Sequence, residues 1–369
     1  MSPLVGILID KFGVRKLLIF GWSVAGLGFF LASRINSLWA FYGTFVLIAL
    51  GMSFGTFVPV TTAIANWFVK KRSRAMTIGF VGYGASGVLV PLLQAGISNL
   101  GWRETLAIIG VVSLVVGSPL SLVIRHKPAD YGLFPDGDER SAPAVLSEDS
   151  NSPGEKVKRE STAGGFTLKA AFRTPVFWIL SGVVLVESTG YAAVSAHTVP
   201  FLESVNISAA LAAMVVTGST LCSLLGRLGF GFLGDFVDKR YLLAAALALQ
   251  TIGTFIFAYV GANTVWLIIP FIFTYGPGFG GFMPLRPAIQ ADFFGTRAFG
   301  AIMGIMSVAG IVSGMVSPVF AGWVFDTSRS YHLAWLLLAL ITIPGIPLVL
   351  LARPPAGPKR AVAVKRTIG

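Results

Sequence analysis

The chain has 369 residues, of which 54% are hydrophobic and only 12% charged, with a mean hydropathy of +0.78. That is more apolar surface than one water-soluble core can hide, so a bilayer is the solvent for most of it. The formal charge of +12 sits in short basic clusters between apolar runs, which argues against nucleic acid; the single cysteine, Cys222, excludes an internal disulfide framework, and His126, His197 and His332 make no metal-ligand spacing.

In chain order, the opening MSPLVGILIDKFG reaches Asp10 too soon to cross a bilayer and has no basic region that would make it a signal peptide. Ten runs with few or no charges then follow, predicted as transmembrane helices near residues 17 to 33, 38 to 66, 75 to 98, 104 to 124, 174 to 202, 207 to 234, 241 to 260, 264 to 290, 298 to 325 and 331 to 352. Each is long enough to cross about 30 Å of hydrocarbon at about 1.5 Å per residue, the first marginally. Between residues 125 and 173 the composition turns to Ser, Pro, Gly and acidic residues without apolar periodicity, which predicts a solvated, disordered linker. The expected division is therefore an incomplete first bundle over 1–124, a cytoplasmic linker over 125–173, a six-helix bundle over 174–352 and a cytoplasmic tail over 353–369. With the segment before Leu17 inside, 23 of 28 Lys and Arg residues are cytoplasmic, Arg34, Arg103 and Arg329 lie outside, and Arg227 and Arg286 lie within spans. This charge bias predicts a multi-pass protein of the plasma membrane, such as a bacterial inner membrane, with both ends cytoplasmic.

The two halves repeat each other. Gly6, Leu8 and Asp10 match Gly231, Leu233 and Asp235 at an offset of 225, which also relates Pro59 to Pro284, Ala63 to Ala288, Phe68 to Phe293 and Gly79 to Gly304. The offset drifts to 228 by Gly117, Pro119 and Arg125, matched to Gly345, Pro347 and Arg353, as small insertions would make it. A parallel repeat of this kind predicts two pseudo-symmetric helical bundles with the substrate path between them. Carried backwards, the offset pairs Met1 with Gly226, so counterparts of residues 174 to 225 are expected upstream, a first helix and most of a second.

GILIDKFGVRK and its echo GFLGDFVDKR resemble the signature loop of the major facilitator superfamily, between the second and third helices of each half. The resemblance covers essentially the whole chain and implies an all-α membrane fold whose ten complete helices are the family's third to twelfth. It implies a conformational latch from Gly6, Asp10, Arg15, Gly231, Asp235 and Arg240: the glycines permit close helix approach, and the aspartates pair with arginine or accept from a neighbouring helix N-terminus. ANWFVKKRSRAMTIGFVGYGASG and RHKPADYGLFPDG are similar to segments of monocarboxylate porters and oxalate:formate antiporters. That branch implies a small organic anion as substrate, with Arg227 engaging its carboxylate. Ser223 stands where monocarboxylate porters carry an aspartate, and residues 298 to 325 lack the lysine of the antiporters.

An ionisable residue within a span costs roughly 2.5 to 3.5 kcal/mol at the helix centre, so each is a functional candidate. Arg227, eight residues before Asp235, is too deep to snorkel and needs an anion, either a substrate carboxylate or Glu187 on the preceding span. Glu187 is the candidate for proton coupling in place of the missing aspartate. Tyr191, one turn on, can line the cavity; His197 can titrate in the outer vestibule, or simply bond a carbonyl. Arg286, six residues before Asp292, is expected to snorkel or to pair with loop acids. The glycine runs GYGASG and GPGFGG suit helix contact rather than a nucleotide loop, so no cofactor is expected. Together these features predict a monomeric secondary transporter rather than an enzyme, with a small anion and protons as its partners. A drug efflux carrier and a non-transporting sensor or scaffold are the alternatives.

Overall fold

The computed structural model describes residues 2–137 and 165–355, and among them the fold is helical, the one strand-like pairing being an isolated bridge between Gly165 and Gly295. A short helix, α1 (Ser2–Phe12), leads into α2 (Val14–Ala32). Then come α3 (Leu38–Trp67), whose backbone breaks at Thr56, α4 (Arg72–Leu100) and α5 (Trp102–Val123). The second bundle comprises α6 (Pro175–Ser204), α7 (Ala209–Leu233), α8 (Lys239–Phe257), α9 (Ala262–Phe294), α10 (Phe299–Ser328) and α11 (His332–Leu351). Nine of these are long and apolar enough to cross a membrane; the segment predicted over 75 to 98 is α4, a single helix of 29 residues.

The starts of these helices are written in the sequence. Ser37, Ser208 and Asp238 cap α3, α7 and α8, each side chain accepting from a backbone amide of the first turn, and Pro175 opens α6 with its φ already helical. The backbone polar groups are bonded within the helices, so their apolar side chains can face lipid. Leu89, Val115, Leu225, Phe273 and Val319 are all exposed large apolar residues. In the second bundle, Phe201, Phe257, Phe271 and Trp335 pack into an aromatic cluster at the end away from the linker.

The two bundles meet through α1 against α10 and α4 against α7, pairs related by the sequence offset. Both seams depend on glycine. A Cβ on Gly6 would lie 2.0 Å from the Gly300 carbonyl oxygen, and one on Gly231 would lie 1.5 Å from Thr77 Oγ1.

The linker differs from its prediction at both ends. Residues 125–137 fold back under the first bundle: Trp67 Nε1 donates to the Arg125 carbonyl at 2.9 Å, Asn66 Nδ2 to that of His126 at 3.1 Å, and the Val14 amide to His126 Nδ1 at 3.4 Å. Asp136 accepts from the successive amides of Val69, Lys70 and Lys71 at 2.9, 2.7 and 3.4 Å. At the other end, the Phe166 amide donates to the Phe294 carbonyl at 2.8 Å, and the Phe166 ring is buried against Phe294. Short-range apolar periodicity could not reveal these contacts, because most are made by backbone groups and polar side chains. Residues 138–164, the middle of the linker, and 356–369, most of the tail, lie outside the described residues.

Candidate functional site

A cavity of about 310 Å³ lies between the bundles. Ser219, Ser223 and Arg227 face it from α7, at four-residue spacing that keeps them on one side of the helix. Tyr191 and Thr198 line it from α6, Tyr275 and Phe279 from α9, and Tyr83 from α4 of the first bundle. The Tyr191 and Phe279 rings stack in parallel, with centroids 4.2 Å apart and planes 2° from parallel. Among the described residues, no carboxylate lines this space.

Arg227 is 2% exposed. Its Nη1 donates to the Phe80 carbonyl of α4 at 2.8 Å, across the gap between bundles, while Nε has no partner. Two further buried groups in the lining, Tyr275 Oη and Ser219 Oγ, also lack partners. Buried polar atoms without partners are uncommon and costly, and three of them around one cavity make it a place for a polar ligand. A guanidinium with a free edge, beside two hydroxyls and a stacked aromatic pair, can hold a carboxylate on a small, partly apolar body.

The sequence offers Glu187 as a partner for Arg227, and the structure does not bring them together. Spacing along a helix gives depth, whereas the direction around it decides the neighbour. Glu187 is buried, and its Oε2 accepts from the Ser188 hydroxyl at 3.2 Å; the cation it interacts with is Arg286. Arg286 also departs from its prediction. Six residues place it roughly 120° around the helix from Asp292, and it turns inward, donating from Nη2 to Ser307 Oγ at 2.9 Å. His197 does not line the cavity. Its Nε2 donates to the Pro318 carbonyl at 2.9 Å and its Nδ1 bonds Tyr331 Oη at 3.1 Å, so the ring ties α6 to α10. Tyr191 does reach the cavity.

The linker face holds the latch candidates. Asp10 Oδ2 accepts from the Ala301 amide in the first turn of α10 at 3.1 Å. Asp235, on the related loop, accepts from the Ser73 amide at 2.9 Å, in the first turn of α4, and from Arg74 Nε at 2.6 Å. Arg15 is exposed, and Arg240 pairs within its own loop with Asp238 at 2.6 Å, holding that carboxyl below the usual carboxylate range. The cations that do bridge the bundles are Arg74 and Arg72, which pairs with Asp292; Lys239 reaches the same carboxylate at 2.8 Å from within the second bundle. The basic run at 70 to 74 is the sequence signal for the first two, read as topology rather than as a gate.

A family model described as Major Facilitator Superfamily matches residues 1–203 and 188–367. Monocarboxylate transporter 12 of Mus musculus is 27% identical over 365 residues, covering 93% of this chain and 72% of that protein. Monocarboxylate transporter 13 of Bos taurus is 23% identical, covering 93% and 75%. Among solved structures, the Escherichia coli fucose:proton symporter FucP superposes with a TM-score of 0.69 at 16% identity, covering 96% of this chain and 88% of that one. The human organic anion transporter MFSD10 gives 0.67 at 13% identity, covering 94% and 80%.

Proposed function

The chain belongs to the Major Facilitator Superfamily of membrane transporters, and we propose that its cargo is a small organic anion of the monocarboxylate kind, carried by rocking of the two bundles about the cavity. The observation that carries this proposal is Arg227, a buried cation lining an intramembrane cavity with one edge of its guanidinium free. The names of the relatives in Mus musculus and Bos taurus support the same class. A cationic drug would find no acidic residue among the described lining.

The contacts that join the bundles at the linker face hold the carrier closed on that side, with Asp10 and Asp235 as the latches. Arg227 Nη1 donates to the Phe80 carbonyl of the other bundle, so an arriving carboxylate competes for a donor that ties the bundles together. The basic residues of the linker face support a cytoplasmic assignment for that side. One chain supplies cavity residues from both bundles, which suits a monomer as the working unit.

Equilibrium binding of radiolabelled L-lactate, pyruvate and acetate to the purified chain tests this function. Arg227→Lys loses the planar fork and should weaken binding about tenfold or more. Unchanged affinity in that variant removes Arg227 from the site, and absence of binding for all three probes in the unaltered chain removes the substrate class.

A further inference from the structure

The stretch RHKPADYGLFPDG, which follows α5, is used by neither the cavity nor the latches. Two of its side chains hold main-chain amides on separate parts of the first bundle. His126 covers the corner between α1 and α2. Its Nδ1 accepts from the Val14 amide at 3.4 Å, and a Cβ on Gly13, where φ is 85°, would meet its ring at 3.5 Å. That corner directly follows the turn of α1 that carries Asp10. Ten residues after His126, Asp136 gathers the amides of Val69, Lys70 and Lys71 on the loop between α3 and α4. The next three residues are Arg72, Ser73 and Arg74, which reach Asp292 and Asp235 of the second bundle.

The chain between these anchors is folded on itself rather than slack. Pro128–Tyr131 make a 3₁₀ turn that ends at Gly132, φ 69°. The Leu133 amide returns to the Pro128 carbonyl at 3.0 Å, and the Gly137 amide to that of Phe134 at 3.1 Å. The Arg125 guanidinium lies 4.3 Å from the centroid of the Tyr131 ring. Asn66 and Trp67, at the end of α3, bond the carbonyls of His126 and Arg125. A strap fastened at three places and bonded internally passes a displacement at one end to the other.

The internal repeat gives an independent sign that this connection matters. At the offset of 225, Val14 corresponds to Lys239 and Trp67 to Asp292. In the second bundle those two positions are joined directly, Lys239 Nζ to an Asp292 carboxylate oxygen at 2.8 Å. Val14 and Trp67 have no side chains that could form such a pair, and the adjacent residues His126 and Arg125 bridge them instead. Both bundles therefore tie the same two corners, by different chemistry.

We propose that residues 125–137 are a yoke, with His126 and Asp136 as positioning residues for the transport movement. They hold the α1–α2 corner and the α3–α4 loop in one frame. From that frame the first bundle presents Asp10 to α10, and Arg72, Ser73 and Arg74 to Asp292 and Asp235, as a single body. The bundle then turns as a whole when the carrier changes state, rather than bending between its two corners. This holds for any cargo and does not rest on the anion-carrier reading.

Hydrogen exchange of single amides in the purified chain tests the yoke without a cargo. The amides to follow are the two that the latches hold, Ala301 against Asp10 and Ser73 against Asp235. Asp136→Gly removes the carboxylate without backbone strain, since glycine accepts the φ of 58° found at residue 136. Losing a capping acceptor weakens a local structure by about fivefold. Asp136→Gly should therefore speed exchange about fivefold not only at nearby Ser73 but also at Ala301, on the far side of the yoke. His126→Ala should likewise speed Ser73 as well as Ala301. Asp136→Asn keeps an oxygen acceptor and tolerates the same backbone, so it should restore both amides to near their unaltered rates. The double variant of Asp136→Gly with His126→Ala should exchange no faster than the faster single variant, because one connection is broken twice. Exchange that rises only on each variant's own side, or gains that multiply in the double variant, would show two local caps and overturn the yoke. Equal acceleration throughout α6 to α11 would be plain loss of stability and would overturn it too.

Discussion

Gly6→Ala should spring the seam between α1 and α10. The new methyl would sit 2.0 Å from the Gly300 oxygen, 2.4 Å from its carbonyl carbon and 2.8 Å from the Ala301 nitrogen, all backbone atoms that no side-chain rotation can move away. Restoring an ordinary contact of roughly 3.4 Å or more requires the helices to part by about 1.4 Å. The hydrogen bond from the Ala301 amide to Asp10, now 3.1 Å, would stretch well past about 3.5 Å and be lost. A charge-assisted bond at a helix N-terminus contributes about 1.5 kcal/mol, so the closed linker face should lose about a factor of ten in population. Spin labels at Lys11→Cys and Arg297→Cys, with Cys222 replaced by alanine, report the separation by pulsed electron resonance. Gly229→Ala is the control, since a Cβ there meets nothing within 4 Å. A distance distribution for Gly6→Ala that matches this control would refute the seam as the determinant of closure.

Two further outcomes follow from the linker face. His126 is held below its ordinary value of 6.5, first by burial and then by Lys127, and its Nδ1 must be unprotonated to accept from Val14; docking of residues 125–137 is therefore complete above about pH 6.5 and is lost as pH falls through the lowered value. Tryptic cleavage after Arg125, normalised to His126→Gln at each pH, should rise in acid, and a flat ratio would count against it. Arg74→Gln leaves the Asp235 carboxylate, 2% exposed, without its cation, and should destabilise the closed face by about 2 kcal/mol, read with the same class of distance measurement across α4 and α7; a change under about 0.5 kcal/mol would show that the amides of Ser73 and Arg74 suffice.

Much of this arrangement is legible in the sequence because a bilayer forces it. Apolar runs of sufficient length had to become helices, and the offset linking Gly6 and Asp10 to Gly231 and Asp235 marks the residues that stand at the two seams. Arg227 was legible for the same reason, since a cation at that depth has few structural uses. Its partner was not, because the Phe80 carbonyl is a backbone group on the other bundle and leaves no trace in residue types. That Glu187 bonds Ser188 and lies apart from Arg227 depends on the rotation of α6 about its axis, which apolar helices with polar residues on several sides do not encode plainly. Asp136, with its backbone at φ 58°, was equally silent: one aspartate among others in a polar stretch, it is distinguished only by the three amides it gathers.

The two latches are related by a repeat but are not equal in strength. Asp235 has a guanidinium as well as amides, whereas the position that the offset pairs with Arg74 is Phe299, buried and apolar, so Asp10 holds α10 by main-chain dipoles alone. A molecule so built unzips from one side. Thermal motion should free the α1 and α10 seam first, leaving α4 and α7 as the axle about which the bundles begin to turn. Added salt reaches the exposed Asp10 carboxylate more readily than the Arg74 pair, whose Asp235 side chain is 2% exposed, so it should accentuate this order and make the first movement more directional.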